Sequence, residues 1–132
     1  FGSAMPHPTA GAMCVGARPI LIAYNIWLKD STLEKAKQIS ALLRSDSVRT
    51  LGLQVGSSAQ VSINLIDYAV TGPLQVYDIV AQHAPIDRAE LVGLVPARAL
   101  ADIPRNRWNE LNLSAEKTIE STMAGRNRKL TS

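Results

Sequence analysis

Cysteine is almost absent from this 132-residue chain. Its single copy, Cys14, excludes an internal disulfide framework and any zinc site built on several cysteines. A lone thiol fits a reducing compartment, so a cytoplasmic location is expected. Aromatic residues amount to only 5%, which argues against a stacking platform for single-stranded nucleic acid. No apolar run approaches the ~20 residues of a membrane-spanning helix, and no charged stretch followed by an apolar one opens the chain. Neither nucleic acid nor a membrane is therefore an expected partner. Charge of one sign is scarce too: 14 Lys and Arg against 11 Asp and Glu leave +3, too little to specify an acidic partner. An initiating methionine is also missing, since the chain opens on Phe1, and the expectation is a piece of a longer protein.

What is present suits a folded domain. Hydrophobic residues make up 46% and charged residues 19%, enough apolar material for a core. The length matches one domain, since domains usually run ~100–200 residues. Residues 1–16, FGSAMPHPTAGAMCVG, have neither helical nor strand periodicity and read as an extended linker. The run ARPILIAYNIWL at 17–28 is apolar on both faces, as in the middle strand of a sheet. Ser31 and Glu34 then have capping-box spacing, and Leu33, Ala36, Ile39 and Leu43 recur at helical spacing, predicting a helix over 32–45. Strands are expected at 48–55 and 59–67, joined as a hairpin through Gly56-Ser57-Ser58. Thr71-Gly72-Pro73 opens a second helix of about three turns, stopped by Ala84-Pro85. A fourth strand is expected at 89–96.

Strand, helix, strand, strand, helix, strand is the split βαβ order of the ferredoxin-like fold. The expected class is thus α+β: a βαββαβ antiparallel sheet with both helices on one face, over 17–96. Residues 97–132 form a helical C-terminal extension whose best helix is 113–124, capped by Ser114, before a frayed end.

Alternation within the strands places Val61, Ile63 and Leu65 on one face and Gln60, Ser62 and Asn64 on the other. By the same apolar criterion Leu51, Leu53 and Val55 belong under the helices, with Thr50, Gly52 and Gln54 on the open face. That face then carries amides and hydroxyls with few charges. It is either an ordinary solvated side of an antiparallel sheet or a floor for a polar ligand or a second domain.

No phosphate loop, dinucleotide fingerprint, nucleophile elbow or HExxH occurs. His7 and His83, the only histidines, lack metal-ligand spacing, so no metal is expected. His7 sits between Pro6 and Pro8, a stiff loop position, and Arg18 is either a bidentate clasp for a carboxylate or a solvated strand-end residue. No complete catalytic set is visible. The residues alone describe a small ligand-binding or interaction domain.

Three stretches, GAMCVGARPILIAYNIWL at 11–28, AQVSINLIDYAVTGPLQVYD at 59–78 and ELVGLVPARAL at 90–100, together resemble the C-terminal subdomain of the glutamate formiminotransferase (formimidoyltransferase) family. The resemblance implies transfer of a formimino group from N-formimino-L-glutamate to tetrahydrofolate, the co-substrate, in histidine degradation. It implies two ferredoxin-like subdomains with folate between them, and a homodimer. The family's catalytic histidine belongs to the N-terminal subdomain and nothing here matches it. No catalytic residue is thus expected in this chain, which alone would be inactive.

The opening FGSAMPHPTAGA resembles the family's folate-contacting loop, making Phe1, Gly2, Ser3, Ala4, Met5, Pro6, His7, Pro8 and Thr9 the folate-binding candidates. Its side chains differ from those of other members, so the expected contacts run through the backbone, which Gly11 and Gly16 allow to come close. Gln60, Ser62 and Asn64, from strand alternation, and Arg18 are the candidates for the substrate cleft. The alternative is a stand-alone ferredoxin-like module that binds a small ligand or dimerises, since this fold hosts unrelated functions. An RNA-binding sheet would need paired aromatics in its middle strands, and AQVSINLID has none.

Overall fold

A computed structural model describes residues 5–130, and Phe1, Gly2, Ser3 and Ala4 lie outside the described residues. The elements run β1 (Ile22–Leu28), α1 (Leu33–Leu43), β2 (Val48–Val55), β3 (Ser58–Leu65), α2 (Pro73–His83) and β4 (Ile86–Val92). Three single 3-10 turns, Ala97–Leu100, Arg105–Arg107 and Ala115–Lys117, lead into α3 (Ile119–Leu130). Every strand pair is antiparallel and the sheet order is β2-β3-β1-β4. This is the expected ferredoxin-like arrangement, with α1 and α2 on one side and β1 in the middle of the sheet.

Local chemistry explains where each element starts and stops. β1 begins at Ile22, not Ala17, because its partners run out: Ile22 faces Leu65, Ala23 faces Val92, and no strand among the described residues pairs with residues 17–21. Gly56, at φ +60°, supplies the positive φ that a tight hairpin needs, and Ser58 already pairs with Val55. β3 ends at Leu65 because the amides of Ile66 and Asp67 turn to the Ser47 carbonyl, at 2.7 and 3.2 Å. β4 covers 86–92 rather than 89–96. Gly93 at φ +83° turns the chain out of the sheet, and Val95 pairs with the 117–119 backbone instead.

The caps also fall one place or more from their expected residues. Thr32, not Ser31, caps α1 by accepting the Lys35 amide at 3.2 Å, while the Ser31 hydroxyl turns back to the Lys29 carbonyl. Gly72 precedes α2, and its amide donates to the Gln75 side chain at 3.0 Å. In the extension, the backbone of Lys117 and Ile119 bonds to Val95, which breaks the expected 113–124 helix in two. Its α-helical part starts after Thr118, whose hydroxyl accepts the Ser121 amide at 3.1 Å, not after Ser114.

One core joins the sheet, both helices and the extension. Ile22, Tyr24, Ile26, Val61, Ile63 and Leu65 face Ala36, Ile39, Val76 and Val80, and Leu100, Ile103, Leu111 and Leu113 close the same cluster. The Tyr24 hydroxyl donates to the Leu111 carbonyl at 2.8 Å. Burial pushes this phenol well above the ordinary tyrosine pKa, so it stays a donor.

β2 faces the opposite way to the expectation. Register sets Thr50 opposite Ile63 and Gly52 opposite Val61, under α1, and sets Leu51 opposite Ser62 and Leu53 opposite Gln60 on the uncovered face. Two contacts hold this orientation. The Thr50 hydroxyl donates to the Ser40 carbonyl at 2.6 Å, so its polar atom is satisfied while buried. Gly52 leaves no room for a side chain: a Cβ there would lie 2.4 Å from the Lys37 nitrogen. Leu51 is consequently 59% exposed.

Candidate functional site: the uncovered sheet face

The side of the sheet away from α1 and α2 is organised in three cross-strand rows. One runs Leu53, Gln60, Trp27, Arg88. The next runs Leu51, Ser62, Asn25, Glu90, and the third Arg49, Asn64, Ala23, Val92. Gln60, Ser62 and Asn64 thus occupy the central part of one face, as alternation predicts, and form its middle column.

Toward β4, side chains lock one another. The Trp27 indole donates to Glu90 Oε2 at 3.0 Å, and the Asn25 amide donates to the same oxygen at 3.2 Å. These two bonds, the indole's first, hold the Glu90 carboxyl below the ordinary glutamate range; partial burial opposes them and Arg88 adds to them. The Arg88 guanidinium lies over the Trp27 ring, 4.1 Å from its centre, and pairs with Asp87 at 2.9 Å. A fixed carboxylate therefore stands on the open face at neutral pH, with donors arranged around it.

Toward β2 the face dips. Ser62 and Asn64 line a cavity of about 260 Å³ with Arg44, Arg49, Thr50 and Leu51. Arg44 follows the last turn of α1 and donates to the Thr50 carbonyl at 2.7 Å. Arg49 donates to the Ser45 carbonyl and, at 3.4 Å, to that of Val48.

The leading segment is exposed from Met5 to Leu21. His7 and Gly11 exchange backbone hydrogen bonds of 3.1 and 2.9 Å, closing a tight loop. Inside it, the amides of Thr9 and Ala10 donate to His7 Nδ1 at 3.3 and 3.1 Å. Pro6, Pro8 and Thr9 share this exposed loop. No hydrogen bond or ion pair joins His7, Thr9 or Arg18 to the strands of the uncovered face among the described residues.

Asn25, Trp27 and Glu90 are not among the sequence candidates, although alternation carries their signal. Ile22, Tyr24, Ile26 and Leu28 alternate with Ala23, Asn25 and Trp27, and Ala89 and Leu91 flank Glu90. Reading 17–28 as apolar on both faces concealed that alternation.

A larger hollow of about 490 Å³ lies elsewhere, between Leu100, Ile103, Trp108 and Thr118. Two of its polar groups are engaged, since the Trp108 indole donates to the Ile103 carbonyl and the Thr118 hydroxyl to that of Ala115. Ser62 and Asn64 make no side-chain hydrogen bond among the described residues, so the sheet face carries free recognition groups. The described residues contain no helix long and apolar enough to cross a membrane, and no group of three side chains suited to a metal ion.

A four-stranded antiparallel sheet with one helix-covered face and one polar, partly charged face either stands in water on its open side or holds a ligand or a second domain there. Comparison with known proteins defines the class further. The formiminotransferase domain family matches residues 23–121, most of the chain, and the chain belongs to that family. Among its relatives, the glutamate formimidoyltransferase of Thermoplasma acidophilum is 34% identical over 126 residues, covering 82% of this chain and 41% of that protein. The formimidoyltransferase-cyclodeaminase of Rattus norvegicus is 38% identical over 120 residues, covering 77% and 22%. The glutamate formimidoyltransferase of Streptococcus pyogenes is 28% identical over 115 residues, covering 78% and 38%. This chain therefore spans less than half the length of each of these relatives.

Proposed function

We propose that this chain supplies the folate-binding half of a glutamate formimidoyltransferase, which passes a formimino group from N-formimino-L-glutamate to tetrahydrofolate in the cytoplasm, as a step of histidine degradation. The observation that carries the reading is the uncovered face in a member of this family: neutral hydrogen-bonding groups in its middle column, with Leu51 at 59% and Val92 at 48% exposure near its two edges. A few polar groups in the centre with apolar side chains around them suit a site for a polar ligand, which another surface closes. That surface is the N-terminal formiminotransferase subdomain, which would lie before residue 1, with 1–16 as the link, 17–96 as the ferredoxin-like unit and 97–132 as its helical extension.

In this reading the chain binds and orients while the other subdomain provides the base. The loop Phe1 to Thr9 contacts folate mainly through its backbone, and Gln60, Ser62 and Asn64 floor the cleft, with Arg18 as a weaker candidate for it. Holding donor and acceptor in register supplies effective concentration, which for well-oriented groups is a large part of the rate gain. A homodimer is the expected assembly.

The test is formimino transfer by the complete protein and by its Asn64→Leu variant. The wild type should transfer, and the variant should fold normally while its KM for one of the two substrates rises about tenfold, as the loss of a bonded polar group predicts. Unchanged kinetics would remove β3 from the site. A complete protein of normal fold that transfers nothing would leave a stand-alone binding or dimerisation module as the better account.

A further inference from the structure

We infer that Arg44 and Arg49, with Ser62 and Asn64, form a carboxylate-binding subsite on the open sheet face, which takes the end of a glutamyl group. The identification of that group as glutamyl rests on the transferase reading; the subsite itself rests on geometry.

Neither arginine has an acidic partner among the described residues. The ion pairs among the described residues join Arg88 to Asp87 and Arg107 to Asp78 and Glu110. No Asp or Glu lines the cavity that Arg44 and Arg49 share. Backbone carbonyls hold both guanidinium groups in place: Arg44 through Thr50, and Arg49 through Ser45 and Val48. Each of these bonds uses one side of a planar fork that has five N–H donors, so donors remain on both groups. The carbonyls of Ser45, Val48 and Thr50 account for the position of the arginines, but they leave two full positive charges at one hollow with no acidic partner among the described residues.

The rest of the lining completes the chemistry. The Ser62 hydroxyl and the Asn64 amide add neutral donors on the sheet side and make no side-chain hydrogen bond among the described residues. Leu51, directly opposite Ser62, gives an apolar wall for a methylene chain. At about 260 Å³ the hollow falls below the ~300–1,000 Å³ of pockets that enclose a whole drug-sized ligand. It therefore suits the acidic end of a longer molecule. Planar carboxylates match guanidinium forks in two parallel bonds, and pre-anchored arginines lose little freedom on binding.

A glutamyl group occurs in both proposed substrates: it is the body of N-formimino-L-glutamate and the tail of folate. The complete protein is titrated calorimetrically with glutarate, a bare dicarboxylate, as wild type and as Arg49→Gln, Arg49→Lys and Arg44→Gln. Thermal melts confirm that each variant is folded. Arg49→Gln and Arg44→Gln are expected to weaken glutarate binding about ten- to a hundredfold, as the loss of a charge-assisted bond predicts, and Arg49→Lys to recover part of it. Steady-state kinetics then assign the source. A KM rise confined to N-formimino-L-glutamate places the donor in the subsite, and one confined to tetrahydrofolate places the folate tail there. Glutarate that fails to bind the wild type, or that binds the folded Gln variants equally well, overturns the subsite. Arginine-dependent glutarate binding in a protein that transfers no formimino group would instead keep the subsite and sink the transferase reading.

Discussion

Replacing Gly52 with alanine is expected to destabilise the protein by about 3 kcal/mol or more, at or beyond the upper end of the ~1–3 kcal/mol usual for overpacking. The added Cβ would stand 2.4 Å from the Lys37 nitrogen, 2.5 Å from the Ala36 carbonyl carbon and 2.6 Å from the Lys37 Cα. All three are backbone atoms inside α1, so no side chain can swing aside and the helix must move as a body. Moving it would also pull Ser40 from the Thr50 hydroxyl, leaving a buried donor and acceptor to find other partners. Urea denaturation of Gly52→Ala against the wild type measures the loss. A cost below about 1 kcal/mol would mean that α1 does not sit on β2 at this point, since so small a change is the level of a surface substitution.

The second large effect is expected at Leu111, outside the six elements of the ferredoxin-like unit. Leu111→Ala should cost about 2–5 kcal/mol, the range for truncating a buried leucine. Leu111 is fully buried in the same cluster as Tyr24, Ile63 and Val80. Its neighbour Asn112 adopts φ +56°, and the Asn112 side chain accepts both the Leu91 amide, at 3.3 Å, and the Lys117 ammonium, at 2.6 Å. This segment therefore fills the core and covers the exposed edge of β4, a role that edge strands usually require of some other part of the chain. The same denaturation experiment applies. A cost under about 1 kcal/mol would show that the core closes without the segment after β4.

Sequence alternation and punctuation sufficed to order the strands and helices, because each helix is bounded by turn residues and β3 alternates strictly. β2 reads the wrong way round for a physical reason. Its apolar residues, Leu51, Leu53 and Val55, carry more hydrophobicity than Thr50 and Gly52, yet close helix approach selects the small residue and a buried hydrogen bond tolerates the polar one. Contact with α1 outweighs the apolar pattern at that edge strand. Half the site is legible for the converse reason: Gln60, Ser62 and Asn64 alternate with Val61, Ile63 and Leu65 in a central strand whose buried face allows no slip.

The other half depends on register. Asn25, Trp27 and Glu90 converge only because β1 pairs with β4 as it does. Arg49 meets Asn64 through the β2–β3 register, and Arg44 joins them only after the end of α1 is laid against that hairpin. No spacing along the chain announces such a meeting. The leading loop has no periodicity to read, and its internal clasp, the Thr9 and Ala10 amides on His7 Nδ1, follows from the local fold rather than from spacing.

The central claim is that the uncovered sheet face forms the floor of the ligand cleft, and the two tryptophans provide its most direct test. Trp27 lies on that face with its indole N–H on Glu90, whereas the Trp108 indole bonds to Ile103 in the core-closing extension. Indole N–H resonances of the complete, 15N-labelled protein can be assigned with Trp27→Phe and Trp108→Phe and followed during titration with a stable tetrahydrofolate analogue. The Trp27 signal should shift with saturating dependence on ligand while the Trp108 signal stays in place. A shift of Trp108 with Trp27 unmoved, or tight binding that moves neither, would contradict the account and place the ligand elsewhere on the molecule.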